Sequence, residues 1–87
     1  MVVEEFRESI ERYLAAFRTI LPHLDEAERV WRFHFVAGAM AHTIACTHML
    51  ERFSGGRCMA SDPEEALRQM VPFLAAGLRA PSRTQAN

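Results

Sequence analysis

The sequence predicts an all-α chain, and three observations carry that prediction. Apolar residues recur at spacings of three and four along almost the whole length, and no stretch alternates with the two-residue period of a half-buried strand. The strongest breakers stand at Pro22, at Gly55 and Gly56, and at Pro81. They divide the chain into three helices, at about residues 3–21, 25–54 and 63–80.

The first helix has one wet and one apolar side. Phe6, Ile10, Tyr13, Leu14, Phe17 and Leu21 share a face, while Glu4, Arg7, Glu8, Glu11, Arg12 and Arg18 take the other. Pro22 lacks a backbone donor and disfavours helical geometry at Leu21, so the helix stops there.

Asp25 followed by Glu28 reads as a capping box that opens the second helix. Nothing breaks the run until Ser54-Gly55-Gly56, where a left-handed glycine closes it, so the helix extends on the order of 43 Å. It carries two apolar stripes. Trp31, Phe35, His42, Cys46, Met49 and Phe53 lie on one side, and Phe33, Val36, Met40 and Ile44 lie nearly opposite. Ala37, Ala41 and Ala45 form a third line, where small side chains let another backbone come close. A helix apolar on both sides is buried on both, so a second chain or further helices must cover what the flanking helices leave. Phe33 to Leu50 lacks Asp, Glu, Lys and Arg throughout, but His34, His42, His48, Thr43 and Thr47 make it a poor membrane span.

Asp62-Pro63-Glu64-Glu65 opens the third helix with an N-cap, a proline at the first helical position and a box-closing glutamate. Ala66, Leu67, Met70, Val71, Phe73, Leu74 and Leu78 give it an apolar face, and Pro72 inside the run predicts a bend near Arg68 to Pro72. The polar tail at 82–87 is expected to fray.

Composition limits the function. The chain has 87 residues, of which 49% are hydrophobic, and a small domain of 9.9 kDa buries only about 60 to 65% of its unfolded surface. That is more apolar material than one such unit hides, which points to an oligomer or to part of something larger. Ten arginines face eleven carboxylates, a balance that argues against direct nucleic-acid contact by this chain. Cys46 and Cys58 form no CxxC and no second pair, consistent with free thiols in a cytoplasmic protein, and the N-terminus shows no signal peptide.

Catalytic chemistry finds little to stand on. His42 with Cys46 at four residues, or with His34 at eight, supplies two ligands at most, so no metal is expected. A thiol on an apolar helix is inert, and there is no GxSxG, P-loop or dinucleotide fingerprint, so neither an enzyme nor a cofactor is predicted. Ser54-Gly55-Gly56-Arg57 has the composition of an anion nest but sits at a helix C-terminus, the negative pole, and reads as a cap. The aromatic and methionine stripe is core in its plain reading and the lining of a greasy ligand site in its sharper one.

The stretch from Leu24 to Pro81 resembles the C-terminal part of TetR-family transcriptional regulators. Trp31-Arg32-Phe33-His34-Phe35, Gly38-Ala39, His42, Ser54-Gly55-Gly56-Arg57-Cys58 and the run Pro72 to Pro81 carry the likeness, most closely to a fatty-acid-responsive repressor subgroup. The resemblance implies a homodimer whose last two helices pair with their copies in a four-helix bundle, and an effector, acyl in type, enclosed by the same domain. On this basis residues 1–81 are expected to form a partial ligand-binding and dimerisation domain, without the helix-turn-helix head. Val36, Met40, Thr43, Thr47, Met70, Phe73, Leu74 and Leu78 are expected at the dimer interface. Tyr13, Phe17, Trp31, Phe35, His42 and Met49 are the pocket candidates, the last four turned toward the first helix. The competing reading is a stand-alone helical dimer acting as an adaptor or a carrier of a hydrophobic molecule.

Overall fold

A computed structural model describes the backbone over residues 3–84 and side chains from residue 6 onward. Among these residues there are four helices and no strand: α1 (Val3–Ile20), α2 (Glu26–Ala45), α3 (Thr47–Phe53) and α4 (Pro63–Arg79).

The ends of α1 and α4 match the local chemistry to within a residue, but the expected long second helix is two helices. The break falls at Cys46, whose φ of -117° and ψ of 39° leave the helical region. Its N–H still donates to His42 O at 2.9 Å, and its carbonyl accepts from Leu50 N–H at 3.3 Å, so one residue leaves helical geometry while these hydrogen bonds continue across it. Neither Pro nor Gly marks the place. β-Branched Thr43, Ile44 and Thr47 surround it, and the Thr43 hydroxyl donates back to Ala39 O at 2.7 Å, a bond that bends helices.

Both capping boxes form by halves. Asp25 accepts from Glu28 N–H at 2.8 Å and Asp62 from Glu65 N–H at 3.3 Å, but neither glutamate reaches back. Glu65 turns instead to Arg68 and Gln69, and Glu28 turns to the C-terminal segment. α3 closes on the glycines as expected: Gly56 N–H donates to Glu51 O at 2.9 Å and Gly55 N–H to Arg52 O at 3.2 Å, with φ of 84° and 65°. α4 runs through Pro72 without interruption.

The expected frayed tail is docked over its first three residues. Ser82 is buried, and its hydroxyl donates to a Glu28 carboxylate oxygen at 2.5 Å, while the other oxygen accepts from Arg83 N–H at 3.0 Å. Arg32 holds the same segment from beside it. Its Nη1 donates toward the carbonyls of Gly77, Leu78 and Ala80 at 3.0, 3.1 and 2.7 Å, and Nη2 donates to Pro81 O at 2.9 Å. A guanidinium at the C-terminal end of α4 meets the carbonyls that the helix itself leaves unpaired. The remainder of the expected tail, 85–87, lies outside the described residues.

α1 packs against α2 and α2 against α4. Arg18 forks onto Glu26 across the first turn, at 3.1 and 2.7 Å, and Leu14, Leu21 and Leu24 are the buried apolar side chains of the described residues. The α1–α2 seam is built on Phe33, which stacks on Tyr13 at 6.0 Å and meets Phe17 edge-on at 5.9 Å. This corrects the expected facing of α2. Trp31 and Phe35 stack on each other at 5.8 Å and stand mostly exposed, because Phe33, about 160° away around the helix, takes the place against α1.

The result is a slab of 41 × 40 × 18 Å with a radius of gyration of 15.4 Å, where a compact chain of this length has about 12 Å. Its accessible surface is 6991 Å², against about 5,200 Å² for a compact monomer of this mass.

Candidate functional site

Two fasteners hold α2–α3 and α4 apart and together. At one end Arg32 grips residues 77–81. At the other, the loop over 54–62 is tied to α3, with Ser54 Oγ accepting from Cys58 N–H and the Glu51 carboxylate accepting from Ser61 N–H, both at 3.0 Å. The Ser61 hydrogen bonds hold Glu51 below the usual carboxylate range. Between these ends opens a groove of about 600 Å³, within the range of small-molecule sites.

Its floor is apolar: Leu50, Met59, Ala66, Met70 and Phe73 line it, with Ala39 and Ala60. Its polar side chains are His42, Thr43, Arg57, Cys58, Glu65 and Gln69. Most of these are already engaged. Thr43 donates to its own helix, and the two oxygens of Glu65 accept from Arg68 at 2.8 Å and from Gln69 at 2.9 Å. The Gln69 amide first and the Arg68 guanidinium second hold the Glu65 carboxyl below its ordinary value. The exposed Arg57 guanidinium has no hydrogen-bond or ion-pair partner among the described residues, so the uncommitted charge on the groove is positive.

The sequence-predicted residues divide among four places. His42 lines the groove, and so do Thr43, Met70 and Phe73 from the expected interface set. Tyr13 and Phe17 belong to the α1–α2 seam, and Trp31 with Phe35 forms an exposed aromatic pair that His34 meets edge-on to Trp31. Met49 lies on α3 beside His48, Arg52 and Phe53, along a shallow depression away from the groove. Val36, Thr47, Leu74 and Leu78 are half-buried, while Met40 is exposed and Phe73 is 76% exposed.

Arg57 was weighed as part of an anion nest and set aside with its cap, and Cys58, Met59 and Ala60 were not among the expected site residues. The cap reading of Ser54-Gly55-Gly56-Arg57 holds for the glycines, but the turn they make also delivers Arg57 to the groove. A cation directly after a helix-closing glycine pair was the available signal. Among the described residues no three His, Cys, Asp or Glu side chains converge on a metal position, and no helix is long and apolar enough to cross a membrane.

An all-helical chain with a broken central helix, a groove against the last helix and a surplus of uncovered apolar surface agrees with the likeness seen in its motifs. The family described as Tetracyclin repressor-like, C-terminal domain matches residues 1–77. The chain belongs to this family. TetR-type C-terminal domains dimerise and bind small-molecule effectors, which makes the groove and the exposed apolar faces the surfaces of interest. Comparison with curated proteins and with solved structures gives no match.

Proposed function

We propose that this chain is the dimerisation region, and part of the effector-binding region, of a TetR-family transcriptional regulator, working as a homodimer in the cytoplasm and making no direct contact with DNA. The observation that carries the proposal is the surface surplus. About 1,800 Å² beyond that of a compact monomer lies open to water, and large side chains such as Phe73 (76% exposed), Ile44 (76%) and Phe53 (88%) lie on it. Large apolar side chains exposed on so extended a surface mark an interaction surface, and a stable dimer interface buries roughly 800 Å² or more from each partner.

Met40 on α2 and Phe73 on α4 are the exposed members of the interface set, with Val36, Thr43, Thr47, Met70, Leu74 and Leu78 half-buried around them. A second copy seated on α2 and α4 covers these residues and builds a four-helix bundle. Equilibrium sedimentation at micromolar concentration tests this directly, with a mass of twice 9.9 kDa expected. Phe73→Glu is expected to halve it. A monomeric mass for the unaltered chain refutes the pairing, and dissociation by Phe35→Glu but not Phe73→Glu moves it to the Trp31–Phe35 face. The effector is an apolar small molecule; the fatty-acid-responsive subgroup suggests an acyl compound.

A further inference from the structure

We infer that the outward face of α2, from Trp31 to Ala45, is a second self-association surface, on which α2 of another copy lies antiparallel and crosses at Gly38. This contact is separate from the α2–α4 pairing proposed above and joins one such pair to the next. Gly38 stands about 140° around the helix both from Phe33, which meets α1, and from Thr43, which lines the groove, so this face points away from the rest of the chain.

Shape is the first support. Trp31 and Phe35 stack at one end of the face, 60% and 58% exposed, while Ala41 and Ala45 are its exposed side chains toward the other. One end is bulky and the other shallow. A two-fold through Gly38 sets Trp31 of one copy, seven residues before it, toward Ala45 of the other, seven residues after it, so each large end meets a small one. Gly38 itself is the second support. A glycine inside a helix is destabilising relative to alanine and has its uses where the backbone turns left-handed or another backbone comes close. Gly38 lies within α2 without a positive φ, and a Cβ built on it meets nothing within 4 Å. Neither conformation nor packing within the chain calls for it, whereas a helix crossing from outside does.

Charge and area point to a copy of the same chain. Phe33 to Leu50 has no Asp, Glu, Lys or Arg, so a copy related by a two-fold brings no like charge to the axis and strands no unpaired ion. The α2–α4 pairing takes roughly 800 Å² of the surplus surface from each partner and leaves about 1,000 Å² of it open, room for a second contact of ordinary size. A seam along one helix is narrower than a two-helix bundle, so this contact is the weaker of the two.

Sedimentation equilibrium of the full chain from about 10 μM to about 1 mM, read together with tryptophan emission, tests the inference. Trp31 is the single tryptophan and lies on this face, so its emission reports the contact directly. The mass is expected to rise past twice 9.9 kDa with concentration, and the emission to move to shorter wavelength over the same range. Gly38→Ile is expected to weaken this step by at least about tenfold and, since isoleucine is the better helix former, to leave the fold and the α4 pairing in place. Phe73→Glu isolates the face. That variant is expected to be monomeric at about 10 μM and to reach twice 9.9 kDa near 1 mM, with the same shift in emission. A Phe73→Glu chain that stays monomeric throughout, an emission that does not move, or association unchanged by Gly38→Ile overturns the inference and leaves the face to an occupant other than a copy. A doubled mass that Gly38→Ile removes and Phe73→Glu does not keeps the inference and removes the α4 pairing.

Discussion

Arg32→Ala tests the docking of α4 onto α2. The guanidinium is 15% exposed and reaches four carbonyl oxygens at the end of α4, with Glu28 at 3.9 Å on its other side. Nη1 has two protons for three carbonyls, so the four distances amount to about two or three full hydrogen bonds, with the 2.7 Å contact to Ala80 O the strongest. Hydrogen bonds to a charged group contribute about 1.5–3 kcal/mol each where buried, and water reaches some of these carbonyls once the side chain is gone. A net loss of about 2–3 kcal/mol follows. Against a total of roughly 4–13 kcal/mol for a chain of this length, that is a large share, and it corresponds to a fall in Tm of about 10–20 °C. Thermal melts followed by far-ultraviolet circular dichroism at one fixed protein concentration measure it, since the proposed pairing would make Tm concentration-dependent. Arg32→Lys keeps the charge but not the fork and is expected to fall between the two. A melt shifted by less than about 2 °C in Arg32→Ala, or a lysine variant as stable as the parent, would show that the four distances carry no energy and that α4 is held by other means.

Three further outcomes follow from the same geometry. The Ser82 hydroxyl first, then the Arg83 amide, hold the Glu28 carboxyl below its ordinary value of 4.5, so its contribution to stability is present above that value and is lost as pH falls through the lower folded one. Glu28→Gln is expected to flatten the acid limb of stability measured from pH 6 downward, and an unchanged limb refutes the docking of the tail. Asp25→Ala removes the acceptor for Glu28 N–H at 2.8 Å and is expected to cost about 1 kcal/mol in chemical denaturation, with Asp25→Asn restoring most of it. Gly56 (φ 84°) and Gly77, which lies within α4, both have open space where a Cβ would go, so substitution by alanine separates backbone conformation from packing. Gly56→Ala is expected to destabilise by about 1 kcal/mol and Gly77→Ala to stabilise by about 0.5–1 kcal/mol; effects of the same sign would contradict this account.

Helix starts were legible because each is written in two or three adjacent residues. Asp25 and Asp62 cap where their side chains permit, and Gly55 and Gly56 close α3 through left-handed φ that other residues rarely adopt. The break at Cys46 was not legible, since no residue there is barred from a helix and what marks the place is three nearby β-branched residues and one Thr43 hydroxyl bond to Ala39. The half-formed boxes have a similar origin. Glu28 had a local partner in the sequence, but Ser82 and Arg83, more than fifty positions away, took its oxygens. Facing failed for a related reason. A helical wheel showed two apolar stripes on α2, but which one meets α1 depends on the turn at 21–25, across which Arg29 Nε donates to Leu21 O at 3.1 Å while Phe33 faces α1. His42, placed on an apolar stripe by the sequence, lines the groove. Arg57 was set aside because its loop was read as punctuation.

The thinness of the slab has a thermodynamic consequence. Heat-capacity change on unfolding scales with the apolar area newly exposed to water, and here much of that area is already wet in the single chain, with Leu14, Leu21 and Leu24 as its buried apolar side chains among the described residues. Folding of one chain alone is therefore accompanied by a small heat-capacity step and a shallow dependence of stability on temperature. The large negative step belongs to whatever covers the faces. Calorimetry across a dilution series would accordingly find the curvature in association rather than in folding, with cold weakening the assembly before it unfolds the helices.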